Sequence, residues 1–399
     1  MKQYLLFLLI AVLGCLTARS GDSVRVVHSF GADLRGAYVF PSTSNLVFAD
    51  EIVPLDYTGD NSSEKISSLA SLHARYTFGY TSATRQGRLY PGAYQGIGLG
   101  VFSFFSHKNL GTPVGLYFIQ GAPIKHLSSR LSLGYEWNFG ISAGWHKSNL
   151  KDTPDANVFV GSRFNAYINL GFLLNYRLSD NLTLRGGVEM THFSDGNTAL
   201  PNPGVNSAGA RIGISYTLGS HSNIPATRPP LPDDSVKPHW SYDILIYGAA
   251  AKKAVTLNDM RVAVPGVFGV GGFSFAPMRT ANQYFRYGVS LDVKYDQGIN
   301  LQDHIAEEST PDRVQFYRPP HKECIVAGLS ARAELVMPVF SVNVGIGRNL
   351  ICVSSARKFY QTANLRIRAT ERFWFNIGYQ LHSFRHPDNL ILGVGYTIH

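Results

Sequence analysis

The sequence predicts an all-β fold: an outer-membrane antiparallel β-barrel protein made of two tandem eight-stranded copies, with one barrel of about sixteen strands as the alternative. Three observations carry this. Charged residues are 16% of the 399 and aromatics 12%, with mean hydropathy near zero. That is an odd mixture for a cytosolic globule and far too polar for a bundle of membrane helices. Apolar and polar residues alternate with period two over segments of about 10–15 residues, as barrel strands do. Tight turns alternate with longer loops, the asymmetry of barrels whose turns face the periplasm and whose loops face outward.

The elements follow in chain order. Residues 1–20, "MKQYLLFLLIAVLGCLTARS", have a basic start at Lys2, an apolar run from Tyr4 to Leu16, and small residues Ala18 and Ser20. They read as a signal peptide cut after Ser20. "VLGC" partly fits a lipoprotein cleavage box at Cys15, but Leu13 fits it poorly. No later segment reaches the roughly 20 apolar residues a spanning helix needs. The net charge of +9 is spread among strands, without a basic helix or nucleic-acid motif, so no nucleic-acid partner is expected.

Residues 21–219 form the first barrel. In "SAGARIGISYTL", Ala208, Ala210, Ile212, Ile214, Tyr216 and Leu218 make one side, and Ser207, Gly209, Arg211, Gly213, Ser215 and Thr217 the other. In "LTLRGGVEMTH", Leu182, Leu184, Val188 and Met190 alternate with Thr183, Arg185, Glu189 and Thr191. The turns "LSSR" (Leu127–Arg130) and "LSDN" (Leu178–Asn181) alternate with longer connections near 106–113, 146–160 and 195–206. Residues 220–239, rich in Pro and polar residues, read as a linker. Residues 240–399 read as a diverged second copy: "RIGISYTLG" compares with "LILGVGYTIH", setting Tyr216 against Tyr396. Arms around Met337–Pro338 would bring Cys324 and Cys352 to one end, with a disulfide left open. Trp137, Trp145, Trp240 and Trp374 either form interface girdles or pack.

The stretch "EMTHFSDGNTALPNPGVN" (Glu189–Asn206) raises the functional question. His192 and Ser194 continue the parity of Leu184, Val188 and Met190, so they point outward, next to a long loop and at the level of the outer leaflet. A polar pair facing lipid needs a partner or a purpose; the bland reading is an interfacial pair wetted by headgroups. Glu189 has the opposite parity and is expected to pair with Arg185 or Arg211 inside the barrel.

With "THFSDGNTALPNPGVNSAGARIGISY", "LSLGYEWNFGISAGW" and "NAYINLGFLLNY", the sequence resembles the outer-membrane lipid A 3-O-deacylases and Bacteroides-type acyloxyacyl hydrolases over about residues 24–219. The resemblance implies an eight-stranded barrel in the Gram-negative outer membrane, with a serine esterase site on its outer wall. Ser194 would be the nucleophile and His192 its general base. Asn206 stands where the family has an acidic orienter, usually Glu. Asp195 stands where the family often has an oxyanion-hole Asn, and Asn202 matches a family Asn that supports the loop or the oxyanion. Asp195 could instead orient His192. Such chemistry needs no cofactor and no metal. Lipopolysaccharide (lipid A) is the implied substrate and the outer membrane the implied setting; a homodimer is left open. The second copy reads as catalytically dead, because Ser383 and Arg385 align with His192 and Ser194. The alternatives are a non-enzymatic outer-membrane barrel (porin, adhesin or scaffold) and an outer-membrane phospholipase.

Overall fold

The computed structural model describes residues 25–41, 46–47, 66–147, 159–200, 203–218, 236–258, 260–310, 313–353, 358–382 and 386–399. The expected signal peptide with Cys15, most of the expected linker, Asn202, Ser383 and Arg385 lie outside them. No helix among the described residues is long and apolar enough to cross a membrane; the long elements are strands.

Eight strands close the first barrel: β1 (Val26–Val39), β3 (Ser68–Tyr80), β4 (Tyr94–Ser103), β5 (Gly111–His126), β6 (Leu131–Trp145), β7 (Phe164–Arg177), β8 (Leu182–Ser194) and β9 (Val205–Thr217). Eight more close a second: β10 (His239–Ala251), β13 (Phe268–Thr280), β14 (Phe285–Asp296), β15 (Ile325–Val336), β16 (Phe340–Ile351), β17 (Phe359–Arg368), β18 (Phe373–His382) and β19 (His386–Ile398). The single sixteen-stranded barrel is thereby excluded. A small sheet of β11 (Ala254–Leu257), β12 (Met260–Ala263) and β2 (Leu46–Val47) joins a segment between β1 and β3 to the second barrel.

The duplication is visible in register. Tyr216 of β9 pairs with Leu182, the first residue of β8, and Tyr396 of β19 pairs with Phe373, the first residue of β18. Strand alternation sends one side outward, where Val188 and Met190 are 61% and 63% exposed. The other side fills the lumen. Glu136, fully buried, meets Arg211 and Arg185 at 2.7 Å each and Arg75 at 3.1 Å, while Asp33 pairs with Arg35 and Arg75. Glu189 pairs with Arg35 at 3.2 Å and Arg211 at 3.4 Å. Of its two expected partners only Arg211 is found; Arg185 turns to Glu136 because the closed wall brings β6 within its reach. In the second barrel Asp243 and Glu334 share Arg286 and Arg366. Both lumens are thus crossed by ion-pair networks, as in small barrels whose interiors are just wide enough to be filled by side chains.

The two barrels stand side by side with like ends together. At the turn end, the Tyr90 hydroxyl donates to Gln283 O at 2.6 Å and the Tyr284 hydroxyl to Leu89 O at 3.0 Å. At the loop end, the Lys252 N–H donates to Asn197 O at 2.8 Å. Between them, Phe139 of β6 and Leu365 of β17 face outward by parity yet are 8% and 6% exposed, packed with Trp137, Ile168, Phe340 and Ile377. Lipid tails are as apolar as these side chains, so close packing and the terminal hydrogen bonds, rather than a hydrophobic drive, hold the seam.

The tryptophans split between the two readings. Trp145 and Trp374 are buried, with Arg366 over the Trp374 ring at 4.2 Å, Trp137 lies in the seam against Phe340, and only Trp240 is exposed. Cys324 and Cys352 do reach the same end of the β15–β16 hairpin, but they are not bridged.

Candidate active site

The site lies where β8 ends. Gly204 and the strand that follows it return antiparallel to β8, so Asn206 of β9 sits directly across from His192. In such pairs the Cβ atoms stand about 4.5–5.5 Å apart, close enough for side chains to meet. They do: His192 Nδ1 and Asn206 Oδ1 are 2.8 Å apart. Since Oδ1 only accepts, Nδ1 carries the proton, and the neutral ring keeps Nε2 as its acceptor.

Ser194 follows two residues on, about 6.5–7 Å along the strand and on the same side. Gly204 stands between the two side chains. It is left-handed (φ +76°), and a Cβ there would lie 2.9 Å from His192 Cε1 and 3.5 Å from Ser194 Cβ. A side chain at 204 would therefore both strain the backbone and wedge into the pair. The Ser194 hydroxyl is directed to Tyr379 of β18, whose oxygen is 3.5 Å away, and not to the imidazole. Nucleophile–base bonds are commonly loose without substrate and tighten on binding.

Asp195 opens the loop. It is buried, and the backbone N–H groups of Ala199, Asn197 and Thr198 nearby favour its charged form. Burial outweighs them and pushes the carboxyl up to about 7. Nδ1 of His192 is occupied by Asn206, so Asp195 is not its orienter. Gly196 and Asn197 then take left-handed conformations (φ 70° and 64°).

The parity reading gives the right side of the wall but the wrong neighbour. Ser194 points outward yet is only 6% exposed, because the second barrel covers it with Tyr379 instead of leaving it open to lipid. Tyr379 and Lys252 carry no local signal that sequence reasoning could have used. In the second copy, His382 Nδ1 lies 3.1 Å from Asp388 Oδ1; the residues aligned with His192 and Ser194 fall outside the described part. Among the described residues no three His, Cys, Asp or Glu side chains converge as a metal site requires.

Residues 34–215 match the family model described as lipid A 3-O-deacylase, and residues 240–399 match that described as acyloxyacyl hydrolase, C-terminal domain. No curated protein matches the chain. Among solved structures, an outer membrane channel from Pseudomonas putida F1 aligns at 11% identity and TM-score 0.17, over 96% of this chain and 99% of that one. The FrpB iron transporter from Neisseria meningitidis aligns at 10% and 0.21, over 95% and 83%. Likeness at that level carries no argument.

Proposed function

We propose that this chain, whose residues 34–215 match the lipid A 3-O-deacylase family model and residues 240–399 that of the acyloxyacyl hydrolase C-terminal domain, deacylates lipid A as a serine esterase through Ser194, His192 and Asn206. The observation that supports this most is the His192–Asn206 pair at 2.8 Å. It leaves Nε2 as a base beside a serine on the outward wall.

The chemistry balances without a cofactor. Ser194 Oγ forms a bond to the ester carbonyl carbon while its proton passes to His192 Nε2. The carbonyl π pair moves onto oxygen. Collapse breaks the bond to the sugar-side or acyl-side oxygen, and that alkoxide takes the proton from His192. Water then repeats the sequence and frees the fatty acid. Asn206 holds the ring and its tautomer throughout, though without the full charge that a carboxylate offers the imidazolium. Asn206→Ala is therefore expected to lower kcat by about 10²-fold with little change in KM. Steady-state kinetics on purified lipopolysaccharide check this; a change in KM alone would mean that Asn206 serves binding.

Asp195 gives the pH dependence its sign. Below about 7 its carboxyl is neutral; above, an anion stands beside the oxygen that becomes negative. The rate is expected to fall above pH 7 in the wild type, and Asp195→Asn is expected to remove that fall. Parallel pH–rate profiles test it, and an unchanged alkaline limb would refute it. Stability has a related sign. The folded carboxyl titrates above its unfolded value of 3.8, so the folded state holds the extra proton and loses stability as pH rises from there to about 7.

A further inference from the structure

Ser194 has its hydrogen-bond partner on the other barrel. Tyr379 lies on the outward side of β18, and its hydroxyl is 3.5 Å from Ser194 Oγ. Its ring is fitted to the catalytic loop: a Cβ on Gly196 would come within 2.8 Å of Tyr379 Cε1 and 3.2 Å of its hydroxyl oxygen. Glycine at 196 thus supplies both the left-handed turn (φ +70°) and the room for the phenol. One residue further on, the Lys252 N–H holds Asn197 O at 2.8 Å, so the second barrel grips the loop at two successive positions.

We propose that the C-terminal barrel completes the active site, with Tyr379 as a catalytic residue whose phenolic O–H donates to the oxyanion formed on attack by Ser194. The proposal rests on the serine-esterase reading above. An acyl oxyanion needs donors aimed at it, and the side chain next to the serine, Asp195, is a carboxylate that cannot donate once ionised. The oxyanion is bonded to the same carbon that Oγ attacks. A donor at the edge of hydrogen-bond range from Oγ is therefore near the place where the oxyanion forms. The resting contact is long and weak, so little is lost when the phenol turns to the stronger, charged acceptor. That difference between resting and transition states is what accelerates a reaction. The covalent balance is unchanged, since Tyr379 lends a hydrogen bond and keeps its proton. On this reading the second copy is retained for what its wall presents to the first, and needs no nucleophile of its own.

The test uses the full chain folded in detergent micelles, with lipopolysaccharide as substrate and heat-modifiable gel mobility as the check on folding. Tyr379→Phe is expected to lower kcat by about 10²–10³-fold and to leave KM within about twofold. Ser194→Ala, run alongside, separates the two layers. If Ser194→Ala is inactive while Tyr379→Phe stays within about threefold of wild type, Tyr379 has no catalytic role and the serine reading stands. If Ser194→Ala is active, the serine reading itself is lost. A rise in activity in Tyr379→Phe would make the tyrosine a cover over the nucleophile and overturn the proposal. Should the Phe variant misfold, a fluorinated tyrosine at 379, with a more acidic phenol, provides the second measurement. Measured together with Asp195→Asn, which removes the other alkaline limb, activity is expected to disappear at the lower pH where that phenol ionises, and an unshifted profile overturns the proposal.

Discussion

Ser194→Ala is expected to leave lipid A fully acylated. The substitution removes the only atom in the proposed cycle that bonds to the substrate, and neither His192 nor Asn206 can replace it. The expected loss in kcat is about 10⁴-fold or more, equivalent to roughly 5.5 kcal/mol of transition-state stabilisation. Residues that act as one unit fail together, so the His192→Ala, Ser194→Ala double variant should be little worse than Ser194→Ala alone. Mass spectra of lipid A from cells carrying either form decide the matter. Wild type should yield species short of one acyl chain, and the variant should not. If the difference appears only among glycerophospholipids, the site is a phospholipase. Identical spectra for both lipid classes would leave the barrel without hydrolytic function on this membrane.

The wall's two sides were legible in the sequence, and its neighbours were not. Period two places Val188, Met190, His192 and Ser194 on one side of β8, and the closed barrel keeps them there. The antiparallel return that sets Asn206 across from His192 follows from one loop and two strands, all within fifteen residues. The seam is different. Phe139, Ile168 and Leu365 are of the same residue types as side chains that face lipid, because both environments are apolar and reward the same chemistry. Nothing in their spacing says which outward faces meet the other barrel. Tyr379 lies 185 residues from Ser194 along the chain, and only the packing of two closed barrels brings it near. The lumen partners show the same limit on a smaller scale. Parity correctly sends Glu189 inward, but it cannot show that Arg35 would reach it across the interior while Arg185 goes to Glu136.

Glu136→Gln should unfold the first barrel at markedly lower denaturant concentration. Glu136 is fully buried at the centre of the lumen. Its Oε1 meets Arg211 at 2.7 Å; its Oε2 meets Arg185 at 2.7 Å and Arg75 at 3.1 Å and accepts from the Tyr94 hydroxyl at 2.8 Å. Glutamine nearly preserves the shape and can still accept at one position. It supplies no charge, however, and places an NH₂ against guanidinium donors. Three buried cations then lose their shared anion, with Asp33 left to Arg75 and Glu189 left to Arg211. Removing one partner from a buried ionic group costs about 3–5 kcal/mol, much of it the penalty of the charges left behind. Glu189→Gln should cost less, since its contacts to Arg35 and Arg211 are longer, at 3.2 and 3.4 Å, and Arg35 also has Asp33. Urea titrations of the refolded barrel in micelles, read by heat-modifiable mobility, measure both. A Glu136→Gln loss below about 1 kcal/mol, the scale of an exposed pair, would mean that water or an anion enters the lumen and replaces the carboxylate. Deacylation per folded molecule should be retained in this variant, because the network occupies the inside of the wall and the reaction takes place on the outside.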